Sequence, residues 1–324
     1  FLGEKYYAGG AERYLTDLHK IIKKLGFKMR IYQKAYFNWV RVYRGIEVCG
    51  ISNDGDDIWN DSNFNRKFYS INNKRATLNI YSPFSLSLPF VASPAIGISH
   101  GIFWDDDRSN GKIDDELLSS AKVLNTFVSV DTNTCNWFQT RNMKIGHRMR
   151  YVPNYVDTDE FKPGCCDNDD GRIIILYPRR LYAPRGFDIT LRVIDKVLAN
   201  FPKAEFHFVG RGFEKDTDKL NKYIKKWGKR VKWYAEDPDN MYKVYQKATI
   251  SLIPTLFSEG TSLSCLEAMA SGNIVIASRV GGLSDLVING LNGILIEPTK
   301  NSLEEALFSV LSDISSYENM RRMA

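Results

Sequence analysis

Short apolar runs alternate with longer amphipathic stretches through the C-terminal half of this chain. RIIILYP (172–178), EFHFVG (205–210), VKWY (231–234), TISLIP (249–254), NIVIAS (273–278) and GILIE (293–297) each have the length of one strand. Between them lie an amphipathic stretch from Phe187 to Leu198, a polar helical stretch through Trp227, the helical DNMYKVYQKA, and a helix ending near Ser271. Strand runs separated by helical patterns predict βαβ units on a parallel sheet. Such sheets bind their ligands at the carboxyl ends of the strands.

The N-terminal half repeats the theme less regularly. KMRIYQ, IEVCGIS, TLNIYS, AIGISHG, TFVSVD and MRYVPN are the strand candidates, and a helix from Ala11 to Leu25 follows the Gly9-Gly10 turn. The polar stretch NYVDTDEFKPGCCDNDDG (154–171), with its Pro and Gly, is the best linker. Two α/β domains are expected, 1–158 and 159–324, meeting at a cleft; a length of 324 residues also favours two cores over one.

Composition narrows the class without naming a function. Apolar residues at 44% and charged residues at 25% are ordinary for a globular protein. A net charge of +6 allows an anionic partner without demanding one. Five cysteines include no C-x-x-C pair, which fits neither a disulfide framework nor a zinc site and points to a reducing cytoplasm. No signal peptide pattern opens the sequence. Tyr81 to Trp104 is uncharged over a span-like length, but its serines, prolines and histidine suit strands and loops better than a membrane core.

The segment TLFSEGTSLSCLEAMASGNIVIASRVGGLSDLVINGLNG (255–293) carries the most chemistry. Glu259 follows a strand, and Glu267 lies eight positions on, inside a helix; a helical rise over that interval is roughly 12 Å. Carboxylates so far apart do not share a proton. They suit the two ends of an elongated polyhydroxy ligand, with the small residues of GTSLS at a helix N-terminus favouring phosphate between them. The competing reading is structural: Ser264 to Glu267 has the S-x-x-E form of a capping box, which needs no ligand.

With its surroundings, this E-x7-E block resembles the retaining nucleotide-sugar glycosyltransferases of family 4, which have the GT-B fold: α/β, two Rossmann-like domains with parallel sheets facing across a cleft. Other pieces match in the same order. YAGGAERYL (7–15) resembles the first glycine loop, SHG (99–101) the site of an active-centre histidine, YVPNYVDTDEFKP (151–163) the interdomain passage, and PRRLYAPRGFD the phosphate-binding segment.

The resemblance implies roles residue by residue. Glu259 would hold hydroxyls of the donor sugar and Glu267 those of the ribose. Arg180 and Arg185 would neutralise the diphosphate and the charge developing on the leaving group. Gly9 and Gly10 would let backbone approach the phosphates, and His100 would sit by the reacting sugar. Trp233 and Tyr234 would lie near the base, with Gly260, Thr261, Ser262 and Leu263 completing the donor contacts.

The resemblance also implies a nucleotide-diphosphate sugar as co-substrate, no metal and no other cofactor. The acceptor would be a glycan or lipid-linked hydroxyl compound, transfer would retain anomeric configuration, and no nucleic acid would be involved. It further implies a first strand begun before Phe1, and a C-terminal helix, crossing back onto the first domain, beyond Ala324.

Three departures stand out: Arg185 where the family has Lys, Arg179 where it has Gly, and Thr261-Ser262 where it has an aromatic and Gly. The D-x-D spacing in WDDD (104–107) reads as a solvated loop and VGRG (209–212) as a partial glycine fingerprint. The basic runs RNMKIGHRMR (141–150) and KYIKKWGKR (222–230) suggest an anionic membrane surface as a further partner, with peripheral attachment at the inner face. Two rivals remain: a nucleotide-sugar epimerase of the same fold, and a non-catalytic nucleotide-sugar or membrane-binding subunit.

Overall fold

A computed structural model describes residues 9–53, 58–71, 76–102, 112–164, 171–257 and 259–324. Among them the chain divides into two units, Phe1–Pro153 and Asn154–Ala324.

In the first unit, α1 (Gly10–Lys24) leads to β1 (Arg30–Ala35), β2 (Trp39–Tyr43), β3 (Ile46–Ser52) and α2 (Asp61–Ile71). Then come β4 (Asn79–Tyr81), β5 (Ala95–Ser99), α3 (Lys112–Val123), β6 (Thr126–Ser129), α4 (Thr132–Arg141), α5 (Met143–Gly146) and β7 (Met149–Tyr151). One sheet has the order β1-β3-β2; the other, parallel throughout, runs β4-β5-β6-β7. β2 was not foreseen. It pairs antiparallel with β3 across a two-residue turn, Arg44-Gly45, in which both residues have positive φ. That is the hairpin turn whose twist matches the strands. Phe84, Phe127 and Phe138 pack together in the second sheet's core, Phe127 tilted against Phe84 at 4.4 Å and edge-on to Phe138 at 5.0 Å between ring centroids. A cavity of about 730 Å³ lies between β1 and β4, lined by Leu15, Ile31, Tyr32, Phe64, Phe68 and Tyr81.

The second unit alternates strictly. It runs β8 (Ile173–Tyr177), α6 (Phe187–Asn200), β9 (Ala204–Val209), α7 (Glu214–Trp227), β10 (Val231–Tyr234), α8 (Met241–Lys247) and β11 (Ile250–Ile253). α9 (Leu263–Ala270), β12 (Ile274–Ser278), α10 (Leu283–Leu286), β13 (Ile294–Ile296), α11 (Lys300–Ser312) and α12 (Glu318–Met323) complete it. The six strands are parallel in the order β10-β9-β8-β11-β12-β13, the doubly wound arrangement whose strand order reverses between β8 and β11.

The central strands β8, β11 and β12 are buried on both faces because both are covered. Ile175, Phe206, Leu252 and Ile276 pack under α6 and α11, while Ile174, Leu176, Ile253 and Val275 pack under α8 and α9. Among the described residues no helix is long and apolar enough to cross a membrane. Where it is described, the uncharged stretch from Tyr81 contains the end of β4, loops and β5.

Candidate active site

At the strand-order reversal, the loops leaving β8 and β11 meet. The β8 loop is shaped by Tyr177, fully buried, whose hydroxyl lies 3.1 Å from the carbonyl oxygens of both Arg180 and Arg185. Burial raises the pKa of this phenol, so it stays protonated and donating. Gly186 ends the loop with φ +79 and opens α6; a Cβ there would overlap the carbonyl of Pro254 at the end of β11. Only glycine lets the two loops approach so closely.

Between these loops sits a charged cluster. The buried Arg179 donates from Nη1 to Thr255 Oγ1 at 2.5 Å and from Nη2 to Glu259 Oε1. Arg185 Nη1 pairs with the same Oε1 at 2.9 Å. Thr255 in turn donates to Glu259 Oε2 at 2.6 Å. Burial alone pushes the Glu259 pKa up, but Arg179 and Arg185 outweigh it and hold the carboxyl at about 2. For Arg185, attraction to Glu259 is opposed by burial and by the like charges of Arg179 and Arg180, and its pKa is lowered on balance. Guanidinium groups remain charged at any physiological pH all the same. Two cations facing one anion leave the cluster with a positive surplus, suited to an anionic ligand.

The remaining expected residues fall around this core or elsewhere. Arg180 is exposed, and the guanidinium that joins Arg185 on Glu259 is that of its neighbour Arg179, which the sequence marked only as a departure from a glycine. Glu267 is buried on α9. The capping-box reading of Ser264 is corrected: α9 begins at Leu263 with Ser262 as its N-cap, and the Ser264 hydroxyl turns to the Pro178 carbonyl at 3.4 Å. As the second residue of α9, Ser264 lies inside the helix and not at its N-cap position. Gly260, Thr261 and Ser262 are buried and Leu263 partly so. Asn154 holds Thr261, its amide reaching Thr261 Oγ1 at 3.2 Å and its side chain the Thr261 carbonyl. Trp233 and Tyr234 end β10; Trp233 is 37% exposed, with Nε1 bonded to the Gly210 carbonyl at 2.9 Å.

In the first unit, His100 follows β5. Its Nε2 lies 2.8 Å from Ser82 Oγ and its ring meets Tyr14 edge-on at 5.1 Å. Burial lowers its pKa to about 4, so it is neutral at pH 7. Gly9 precedes α1 and Gly10 opens it; the Gly9 amide donates to the Glu12 carboxylate at 2.7 Å, closing the turn onto itself. The WDDD loop (104–107), like Cys165 and Cys166, lies outside the described residues. Both basic runs spend arginines internally: Arg148 bonds the carbonyls of Ala121 and Leu124, and Arg230 those of Leu198, Phe201 and Ala204.

The second unit is a doubly wound α/β domain with a cationic cluster at its strand-order reversal, the place where such sheets bind their ligands. Residues 164–324, most of the second unit, match the family Glycosyl transferases group 1. The chain is 28% identical over 212 residues to a D-inositol 3-phosphate glycosyltransferase of Acidothermus cellulolyticus, covering 56% of this chain and 45% of that protein. It is 27% identical over 247 residues to an uncharacterized glycosyltransferase of Methanocaldococcus jannaschii, covering 70% and 61%. In both cases the chain spans less than two thirds of the relative's length.

Among solved structures, sucrose-phosphate synthase from Thermosynechococcus elongatus matches with a TM-score of 0.78 at 17% identity, over 97% of this chain and 87% of that one. Anabaena HepE, in complex with UDP and glucose, matches with a TM-score of 0.76 at 15% identity, over 99% and 91%. The fold is that of the GT-B glycosyltransferases.

Proposed function

We propose that this protein transfers a glycosyl group from a nucleoside-diphosphate sugar to a hydroxyl of a glycan or lipid-linked acceptor, with retention at the anomeric carbon. The observation that carries this reading is the cluster of Arg179, Arg185 and Glu259 at the strand-order reversal of a unit that matches the group 1 family. Its positive surplus suits the donor's diphosphate and the charge that grows on it as the glycosidic bond breaks. An ionised carboxylate accepts about four hydrogen bonds, so Glu259 Oε2 keeps capacity for a sugar hydroxyl beside Thr255. Glu267, buried in α9, is assigned to the ribose, and Trp233 and Tyr234 to the base.

In the reaction, the bond from anomeric carbon to phosphate oxygen breaks and a bond to the acceptor oxygen forms on the same face. The acceptor's proton passes to the departing diphosphate, whose charge Arg180 and Arg185 steady. His100, neutral at pH 7, is proposed to contact a hydroxyl of the transferred sugar. No metal takes part in this scheme.

The test is incubation with a panel of nucleoside-diphosphate sugars, UDP sugars first, with and without glycan and lipid-linked acceptors, followed by NMR of the product's anomeric centre. Acceptor-dependent transfer with retained configuration is the expected result. Inverted product would overturn the stereochemistry. Donor turnover that needs no acceptor would favour the epimerase, and donor binding without turnover a non-catalytic subunit.

A further inference from the structure

Arg179 stands where the resemblance leads one to expect glycine, yet it is the most deeply buried cation of the cluster. We propose that Arg179 is a resident counter-ion for Glu259 that releases Arg185 to the donor's diphosphate. This makes Arg179 a positioning residue, and it rests on the transferase reading given above.

The argument starts from one carboxylate oxygen shared by two guanidinium groups. Arg179 and Arg185 both contact Glu259 Oε1, so each repels the other and loosens the other's hold. The two are not equivalent. The Arg179 side chain is 6% exposed and is fixed at a second point, Thr255 Oγ1, whereas that of Arg185 is 28% exposed. An anion arriving from solvent therefore meets Arg185. When Arg185 turns to a phosphate oxygen, Glu259 keeps Arg179 and Thr255 as partners and is never left as an unpaired buried charge. With an uncharged residue at position 179, the same movement would strip Glu259 of its paired cation, and Arg185 would stay trapped on the carboxylate.

Trapping makes a forecast that a merely structural role for Arg179 does not. Removing the trap should restore binding even though Arg179 is gone. The probe is a nucleoside diphosphate without sugar, UDP first, so that Glu259's own contacts to a sugar do not enter. Calorimetry on the full chain should show binding weakened about tenfold or more in Arg179→Met, and recovery to within about threefold of the parent in Arg179→Met/Glu259→Gln. Arg179→Lys, which keeps the charge but not the two-point contact, should lose less than the Met variant.

If Arg179→Met fails to fold, the Lys variant and the double variant carry the test. A Lys variant as weak as one lacking the charge, or a double variant that does not bind, overturns the inference. So does a Met variant that binds as the parent does. A parent protein that binds no nucleoside diphosphate overturns the transferase reading and this inference together, whereas binding indifferent to residue 179 overturns this inference alone.

Discussion

Gly281 packs directly on the backbone of Glu259. A Cβ at position 281 would overlap the Glu259 carbonyl oxygen, and the neighbouring Gly282 amide donates to that same oxygen at 2.6 Å. The loop after β12 thus braces the loop after β11 from behind and fixes where the Glu259 carboxylate emerges. Gly281 also has φ +49, a conformation that costs other residues about 1–3 kcal/mol. Gly281→Ala is expected to lower stability by at least that strain and to weaken nucleotide binding as well, because Glu259 must shift. Thermal melting with and without nucleoside diphosphate checks both effects; a melt shifted equally in both conditions would show that the carboxylate had not moved.

Thr255 holds the cluster from the other side. Its hydroxyl accepts from Arg179 at 2.5 Å and donates to Glu259 at 2.6 Å, and the residue is only 1% exposed. Thr255→Val preserves shape but leaves a buried guanidinium N–H and a carboxylate oxygen each short of a partner. The expected cost is about 1–3 kcal/mol in denaturant unfolding, while Thr255→Ser, which keeps the hydroxyl, is expected to stay within about 1 kcal/mol of the parent.

Asn273 joins three elements behind the site. Its Nδ2 donates to the carbonyls of Tyr245 and Ala248 at 2.9 and 3.1 Å, and its Oδ1 accepts from Ser251 Oγ at 2.7 Å, all in buried surroundings. Asn273→Ala leaves the Ser251 hydroxyl and the Ala248 carbonyl without Asn273, while the Tyr245 carbonyl keeps the Ala248 amide at 3.0 Å, so a loss of roughly 2–4 kcal/mol is expected. Adding Ser251→Ala to that variant removes one orphan and should recover part of the loss. Chemical denaturation of the two variants decides it; strictly additive losses would show that the residues do not act as one network.

The sheet of the second unit was legible because it is buried on both faces. RIIILYP and NIVIAS are continuous apolar runs, and all six foreseen strands form. β2 was harder to see because three of its five residues are exposed and its turn is Arg-Gly, without the Asn or Asp that usually marks such a hairpin. α2 was missed for a similar reason: in DSNFNRKFYSI only Phe64 and Asn65 are buried.

The site was legible as a list more than as an arrangement. Glu259 and Arg185 stand together as the motif order suggests. The role of Arg179 depends on a partner eighty positions away, which no local spacing reveals. The one available signal was an arginine directly following the buried run of β8, where a charge must find a counter-charge. Ser264 misled because a capping box depends on where the helix starts, and the small residues before it leave that open.

The His100 environment makes acid stability a measurable property. Burial lowers its pKa from the ordinary 6.5 to about 4, with Ser82 and Tyr14 packed against the neutral ring. The unfolded chain takes up a proton near pH 6.5 and the folded one only near 4. Between those values the unfolded state binds more protons, so the His100 contribution is fully present above about pH 6.5 and is lost progressively as pH falls towards 4. The gap, at about 1.36 kcal/mol per pH unit, limits this contribution to about 3 kcal/mol. His100→Gln removes the titrating group while keeping hydrogen-bonding capacity towards Ser82. Unfolding free energies of parent and variant should therefore converge, or cross, as pH drops from 6.5 to 4, and run parallel above 7. Taking the difference cancels other titrating groups, His207 among them, whose pKa is also lowered by burial. A difference independent of pH over 4–6.5 would mean that the imidazole is reached by water and protonated at its ordinary pKa, and that His100 does not enter the reaction as a neutral group at mildly acidic pH.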